Sequence, residues 1–156
     1  MAQFIVNLWF DNQAEEAAQY YTSIFPNSKI TGTTRYTEVG PGPAGEVMTV
    51  SLELDGNKFT LINGGADVPW TFNESVSIEV PCQTQAEIDR YWDALLADGG
   101  AASQCGWLKD RYGVSWQIVP TGMEELFASD DPDRVNRAMT AMLGMVKLDI
   151  AALQNA

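Results

Sequence analysis

The spacing of hydrophobic and polar residues predicts five elements in the first part of the chain. Residues 4–10 are apolar and β-prone, which is typical of a strand. Apolar positions then recur at helical spacing and predict a helix near 12–25. Alternating or β-prone stretches predict three more strands, at 29–38, 46–54 and 57–63.

The second part of the chain repeats this order. Alternation through 76–80 predicts a strand, and an apolar stripe predicts a helix near 84–98 that closes at Gly99–Gly100. Three short strands are predicted to follow, at 101–105, 107–109 and 114–119.

Short local signals support these elements. Asn12 followed by Glu15 resembles a capping box, and Thr84 followed by Glu87 is a complete one. The second pair follows the first by 72 positions, and the same offset aligns the strands that precede the two pairs. The dipeptide Asp55–Gly56 is a strong signal for a two-residue hairpin turn.

The common offset indicates an internal repeat. We therefore expect an α+β fold of two tandem βαβββ modules plus C-terminal helices, since one such unit cannot bury its own sheet. The expected single domain spans 1–156. Its parts are module one at about 1–64, a linker at about 65–74, module two at about 75–121, and a C-terminal helical tail at 122–156. Within the tail, Asp131–Pro132 is typical of a helix start, and 148–153 predicts a last turn or two.

Composition and charge narrow the possible roles. The chain has 156 residues, with 9 basic and 21 acidic side chains and a net charge of −12. Such a surface repels phosphate backbones and anionic lipids, so no nucleic-acid or membrane partner is expected. The first ten residues lack the features of a signal peptide. Cys82 and Cys105 are expected to be reduced thiols in a cytoplasmic protein.

The absence of histidine excludes several chemistries. It removes a Ser-His-Asp triad, a Cys-His pair and every histidine metal site. The sequence also contains no phosphate-binding GxxxxGK[ST] loop. Its GxGxxG match, GPGPAG at 40–45, leads into a predicted strand and not into a helix, so it does not indicate a dinucleotide-binding turn. We accordingly expect no nucleotide cofactor.

Three strings carry a resemblance to a known family. They are LWFDNQAEEAAQYYTSIFPNS (8–28), LINGG (61–65) and CGWLKDRYGVSWQIVP (105–120). The chain resembles the PhnB-like subgroup of the vicinal oxygen chelate superfamily, which includes glyoxalase I and bleomycin-resistance proteins. Members of the subgroup are often labelled 3-demethylubiquinone-9 3-methyltransferase domains. The resemblance implies two modules whose curved sheets enclose a cavity, and a homodimer.

The superfamily's metal ligands do not carry over to this chain. By the resemblance they would fall at Ile5, at Phe59 or Thr60, at Ser75 and at Gln117. Zn²⁺, Ni²⁺ and Fe²⁺ prefer nitrogen, sulfur or carboxylate donors, so we expect no transition metal and no cofactor. A hard cation held by oxygen ligands such as Glu79 is the alternative. A methyltransferase site is not expected either, since no glycine-rich turn follows the first strand.

The strand pattern selects candidate ligand-binding residues. If Leu8 and Phe10 pack against the helix, the next positions along that strand face the cavity, and the repeat gives the corresponding residues of module two. The candidate ligand-binding residues are Asn7, Trp9, Thr60, Ser77, Glu79, Trp107 and Gln117. Glu79 is also the candidate catalytic residue, because burial in a cavity would make a carboxyl group a usable general acid or base.

Each candidate has a structural alternative. Trp9 and Trp107 could be packing residues, Gln117 could hydrogen-bond across the sheet, and Glu79 could be a solvated edge residue. Cys105 is expected to be inert rather than reactive, because no basic side chain adjoins it.

Two classes of function follow. The first is a binding module that holds a small, partly apolar molecule in a metal-free cavity. The second is an enzyme of lyase, isomerase or transferase type, with Glu79 as acid or base and with Gln117 and Asn7 orienting the substrate. A homodimer is expected as well, since the methionine-rich C-terminal helix would otherwise leave an apolar patch.

Overall fold

The computed structural model describes residues 2–156 and divides into two compact units, one ending at Trp70 and one beginning at Thr71. The division lies within the segment that the sequence predicts as a linker. The module bounds given above stay predictions.

The first unit is a four-stranded sheet covered by one helix. Its elements are β1 (Val6–Phe10), α1 (Ala14–Ile24), β2 (Lys29–Arg35), β3 (Val47–Leu54) and β4 (Asn57–Asn63). The strand order is β1-β4-β3-β2, with β1 parallel to β4 and the other pairs antiparallel.

Alternation in the strands determines which face of this sheet is buried. Leu8 and Phe10 are buried, as the sequence predicts, and so are Val50, Leu52 and Leu61. These side chains pack with the alanine-rich face of α1, which leaves the opposite face of the sheet open. The Asp55–Gly56 turn is confirmed: both residues have positive φ, as a type I′ hairpin requires.

The predicted cap of α1 is wrong. The helix begins after Gln13, which makes no side-chain cap, and Asn12 takes no part. Instead, Oδ1 of Asn63 accepts a hydrogen bond of 2.8 Å from the backbone N–H of Ala14. The cap therefore comes from β4, 49 positions along the chain, and no local pattern could reveal it.

The second unit repeats the arrangement and adds three helices. It contains β5 (Ile78–Cys82), α2 (Gln85–Leu96), β6 (Ala101–Ala102), β7 (Trp107–Lys109), β8 (Ser115–Pro120), α3 (Met123–Phe127), α4 (Pro132–Leu143) and α5 (Ile150–Gln154). The strand order β5-β8-β7-β6 matches that of the first unit, and β5 is parallel to β8. The predicted pair of βαβββ modules with C-terminal helices is thus confirmed.

Several boundaries in the second unit differ from the prediction. β6 stops at Ala102 because the chain turns at 103–106, where Ser103 N donates to Trp107 O at 2.8 Å. The left-handed turn after α2 begins at Asp98, one residue before the predicted glycine. Helix α3 is absent from the prediction, since its five residues are too few for a periodic signal.

Two caps are confirmed. Thr84 and Glu87 form a reciprocal capping box at α2, and the Asp131 side chain caps α4 ahead of Pro132. Among the described residues, no helix is long and apolar enough to cross a membrane.

The tail is bonded into the second unit. Backbone N–H groups of Cys105 and Gly106 donate to Met145 and Val146, and Leu148 is buried. The Gln85 side chain both donates to Leu148 O and accepts from Ile150 N, at 3.1 and 3.0 Å.

Candidate functional site

The seven predicted site residues fall into two sets, one in each unit. Asn7, Trp9 and Thr60 belong to the first unit. The second unit holds the other four, which are Ser77, Glu79, Trp107 and Gln117. Each set is described by itself.

In the first unit, the three residues lie on the open face of the sheet. Asn7 on β1 is the Cα partner of Thr60 on β4, so their side chains point the same way. Thr60 is in turn the partner of Ser51 on β3, which extends a polar row across the sheet. The Asn7 amide donates to Ile5 O at 3.2 Å.

Trp9 is held firmly on this open face. Its indole Nε1 donates to Gly65 O at 3.0 Å, and its ring makes an edge-to-face contact with Trp70 at 5.8 Å. The ring also lies against Gly64, where an added Cβ would come within 2.0 Å of it. These contacts explain the two glycines of the LINGG string, since both lie against the Trp9 side chain.

In the second unit, three candidates form one row across the open face. Glu79 on β5 is the Cα partner of Gln117 on β8, and Gln117 is the partner of Trp107 on β7. With strands about 4.8 Å apart, this row places a carboxylate, an amide and an indole within roughly 10 Å. Trp116 and Ile118, on either side of Gln117 in the chain, are buried on the helix side.

Gln117 and Glu79 have different surroundings. The Gln117 side chain donates a hydrogen bond of 2.8 Å to Ser77 Oγ, and this contact orients its amide. It is the hydrogen bond across the sheet that the structural alternative for Gln117 predicts. Glu79 is exposed in the single chain. The burial that a general acid or base role presupposes is therefore not present there, and that role stays a prediction.

The second open face also carries an ion pair that sequence reasoning missed. Lys109 on β7 lies two residues beyond Trp107, on the same face, and its Nζ is 2.6 Å from Oε1 of Glu74. The hydrogen bond from Lys109 holds the pKa of the Glu74 carboxyl below its usual range. The alternation of β7 could have identified Lys109, since positions 107 and 109 share a face.

The residues at the expected ligand positions offer few donors that suit a transition metal. Phe59 is buried on the helix side, so the open-face position is Thr60. Ile5 offers only hydrocarbon, and Ser75 Oγ bonds to Asn73 Oδ1 at 2.5 Å. Thr60, Ser75 and Gln117 each offer only a neutral hydroxyl or amide group, and such groups suit Zn²⁺ or Fe²⁺ poorly. Among residues 2–156, no group of three His, Cys, Asp or Glu side chains could hold a metal ion.

The two thiols differ in their surroundings, and neither forms a disulfide. Cys82 is buried, and desolvation, aided by the charge of Glu87, raises its pKa to about 11. Cys105 is half-buried, and its Sγ lies 3.5 Å from Met142 O.

Each unit also has a larger cleft. One of about 640 Å³ in the first unit is bordered by Arg35, Tyr36 and the loop 41–45. Another, of about 370 Å³, lies in the tail and is lined by Met123, Leu126 and Ile150.

Comparisons with known proteins agree with this architecture. Residues 2–119 match the family described as 3-demethylubiquinone-9 3-methyltransferase, so the tail helices lie outside the match. A PhnB protein from Bacillus cereus, which carries the same methyltransferase description, is 35% identical. The match covers 77% of this chain and 100% of the Bacillus chain, with a TM-score of 0.70. No curated protein matches at a significant level.

More distant structures share the fold alone. The fosfomycin resistance protein FosX from Listeria monocytogenes is 13% identical with a TM-score of 0.54, over 80% of this chain and 97% of FosX. A glyoxalase/bleomycin resistance protein from Albidiferax ferrireducens is 13% identical with a TM-score of 0.50, over 74% and 95%. The chain therefore belongs to the PhnB-type family described as 3-demethylubiquinone-9 3-methyltransferase.

Proposed function

We propose that this protein binds a small, partly apolar organic molecule on the open face of a sheet, without a metal at the superfamily position. The row of Trp107, Gln117 and Glu79 carries the proposal. An aromatic surface beside a few convergent polar groups is the usual composition of a small-molecule site. Here the indole supplies apolar contact area, while the amide and the carboxylate supply hydrogen bonds of defined direction.

Fixed side chains favour binding over mere surface packing. Gln117 is oriented by Ser77, and Trp9 on the first sheet is fixed by its bond to Gly65 O. A preorganised group loses less conformational freedom when a ligand arrives, so more of the contact energy appears as affinity. Asn7 and Thr60 add polar groups beside Trp9.

Methyl transfer is not the function we propose, although the family description names it. A typical adenosylmethionine site uses a glycine-rich turn after the first strand of a doubly wound parallel sheet. In this chain β1 is followed by Asp11, Asn12 and Gln13, and both sheets are mixed.

A second candidate function is catalysis by Glu79. The observation in its favour is the register, which pairs Glu79 directly with Gln117. A bound ligand that covers this pair would desolvate the carboxylate and raise its basicity. Glu79 would then move a proton on the molecule that Gln117 orients.

We also propose a homodimer. Met139 and Leu143 on α4 are 37% and 59% exposed, and Val146 beyond the helix is 48% exposed. Apolar side chains at this density are typical of an interaction surface. Light scattering at micromolar concentration should give twice the chain mass of 17.1 kDa, and a value of one chain mass would contradict the proposal.

The binding proposal is tested with a panel of small aromatic and polar fragments. Ligand-detected NMR should find fragments that bind the wild type and bind less to Trp107→Ala and Gln117→Ala. The matched control is Glu38→Gln, which removes one exposed carboxylate far along the chain and should leave binding unchanged, whereas Glu79→Gln should alter it. Fragments that bind Trp107→Ala, Gln117→Ala and Glu79→Gln as they bind the wild type would contradict the proposal. Turnover of a fragment that Glu79→Gln abolishes would favour the enzyme instead.

A further inference from the structure

A small pocket adjoins the row of candidates on the second sheet. Its volume is about 220 Å³, enough for a single-ring molecule, and it is bordered by Glu74, Ala101, Trp107, Lys109 and Ser115. Trp107 gives it an apolar wall. Lys109 gives it a cation. This residue lies two positions after Trp107 on β7, so the two Cα atoms are roughly 7 Å apart.

The cation of the pocket already holds a carboxylate from the chain itself. Lys109 Nζ and Glu74 Oε1 are 2.6 Å apart, a short charge-assisted hydrogen bond. Glu74 belongs to the segment that precedes β5, where Ser115 Oγ donates to Asn73 O and Ser75 bonds to the Asn73 side chain. The backbone next to Glu74 is thus anchored, while the Glu74 side chain is 62% exposed.

We propose that this pocket takes a small molecule with a carboxylate and an apolar ring or chain, and that the ligand carboxylate replaces Glu74 on Lys109. The inference rests on the function proposed above and specifies its ligand class. The ring would lie against Trp107 and the carboxylate on the ammonium group. Glu74 would move into water without any rearrangement of the anchored backbone.

The exchange is feasible on electrostatic grounds. Exposed ion pairs are weak, so releasing Glu74 costs little. The bond from Lys109 lowers the pKa of Glu74, which is therefore an ionised competitor at neutral pH. The chain has a net charge of −12, so the rest of the surface repels a free anion. The ligand carboxylate therefore depends on Lys109 for electrostatic attraction.

The test uses benzoate as the probe and benzyl alcohol as its neutral counterpart. Dissociation constants are measured by NMR titration of the ¹⁵N-labelled protein. Lys109→Gln should weaken benzoate binding about tenfold, as expected for loss of a charge-assisted contact. Glu74→Gln should strengthen it by roughly three- to tenfold, because it removes both the competing group and a repelling charge. Benzyl alcohol should respond to neither change.

A second ion pair in the same unit supplies the matched control. Lys147 and Asp89 lie 2.7 Å apart, and Lys147 is exposed to the same 37% as Lys109. Lys147→Gln and Asp89→Asn should leave both dissociation constants unchanged. The amide spectrum of each variant verifies its fold.

The outcomes separate this inference from the broader proposal. Equal binding of benzoate and benzyl alcohol, lost in Trp107→Ala but not in Lys109→Gln, would overturn the carboxylate assignment and leave the proposed function standing. Benzoate affinity unchanged by Glu74→Gln would overturn the replacement of Glu74. If neither probe nor any fragment of the panel contacts the face, the proposed function fails too.

Discussion

Gly64 lies against the indole of Trp9 so closely that a Cβ at Gly64 would be 2.0 Å from Cζ2 of the ring. Backbone hydrogen bonds fix the glycine pair, since Gly64 N–H donates to Phe10 O at 2.9 Å and Gly65 N–H donates to Asp11 O at 3.1 Å. Neither the ring nor the backbone can move without losing hydrogen bonds. Gly64 therefore determines where an open-face aromatic side chain lies.

Gly64→Ala should lower the free energy of unfolding by about 1–3 kcal/mol, the usual cost of overpacking. Urea denaturation followed by tryptophan fluorescence measures the change, and the native emission should also shift as Trp9 is displaced. Gly32→Ala is the matched control, because a Cβ at Gly32 would have no heavy atom within 4 Å. Equal stability of the two variants would contradict the close approach of Trp9 and Gly64.

Asn63→Ala should destabilise the first unit by about 1–3 kcal/mol, since it removes the α1 cap and the 3.0 Å bond from Nδ2 to Val47 O. Asn12→Ala should change stability by only a few tenths of a kcal/mol, as a surface substitution without such a role. Thermal or urea unfolding of the two alanine variants decides between the caps. A larger loss of stability in Asn12→Ala than in Asn63→Ala would instead support Asn12 as the cap, as the sequence predicts.

These two asparagines illustrate how much of the fold the sequence could predict. Thr84 and Glu87 satisfy one another within four residues, and Asp55–Gly56 forms its turn alone, so both signals were local and both are confirmed. The alternation that buries Leu8 and Phe10 was equally local. The Asn63 cap joins residues 49 positions apart and depends on the parallel pairing of β1 and β4, which no local pattern contains.

The candidate site was predictable to the same extent. Strand alternation placed Trp9, Glu79 and Gln117 on open faces, because side chains alternate with a period of two. The register that aligns Glu79, Gln117 and Trp107 in one row is a tertiary property. The contact of Lys109 with Glu74 likewise depends on tertiary structure, since it joins β7 to the segment before β5.

Asp110 is a buried carboxylate whose substitution should be costly. Its Oδ2 accepts from the Trp116 indole at 2.9 Å, and its Oδ1 accepts from the N–H groups of Tyr112 and Val114. Asp110→Asn replaces one acceptor with a donor and should cost about 1–3 kcal/mol. The control Asp67→Asn changes an exposed residue and should have little effect on unfolding. If Asp110→Asn left the free energy of unfolding unchanged, these hydrogen bonds would make no net contribution to stability.

Burial of Cys82 predicts a pH dependence of stability at alkaline pH. The unfolded thiol ionises near pH 9, whereas the folded thiol keeps its proton until its pKa of about 11. Above pH 9 the unfolded state therefore binds fewer protons, so stability from this group is full below pH 9 and falls as pH rises toward 11. The loss is about 2–3 kcal/mol.

The measurement is urea unfolding of wild type and Cys82→Ala at several pH values between 8 and 11. Because other groups titrate in the same range, only the difference between the two proteins reports on Cys82. The wild type should lose stability more steeply than the variant. Parallel curves would contradict the raised pKa.

The central claim is that a small organic molecule binds the open face of the second sheet without a metal. The most direct test is to map the best-binding fragment onto assigned ¹⁵N signals, with and without a chelator. We predict that the shifts concentrate on the Trp107 indole N–H and the Gln117 side-chain amide and are the same in both conditions. Shifts confined to the tail cleft around Met123, Leu126 and Ile150, or shifts that disappear with the chelator, would contradict the claim.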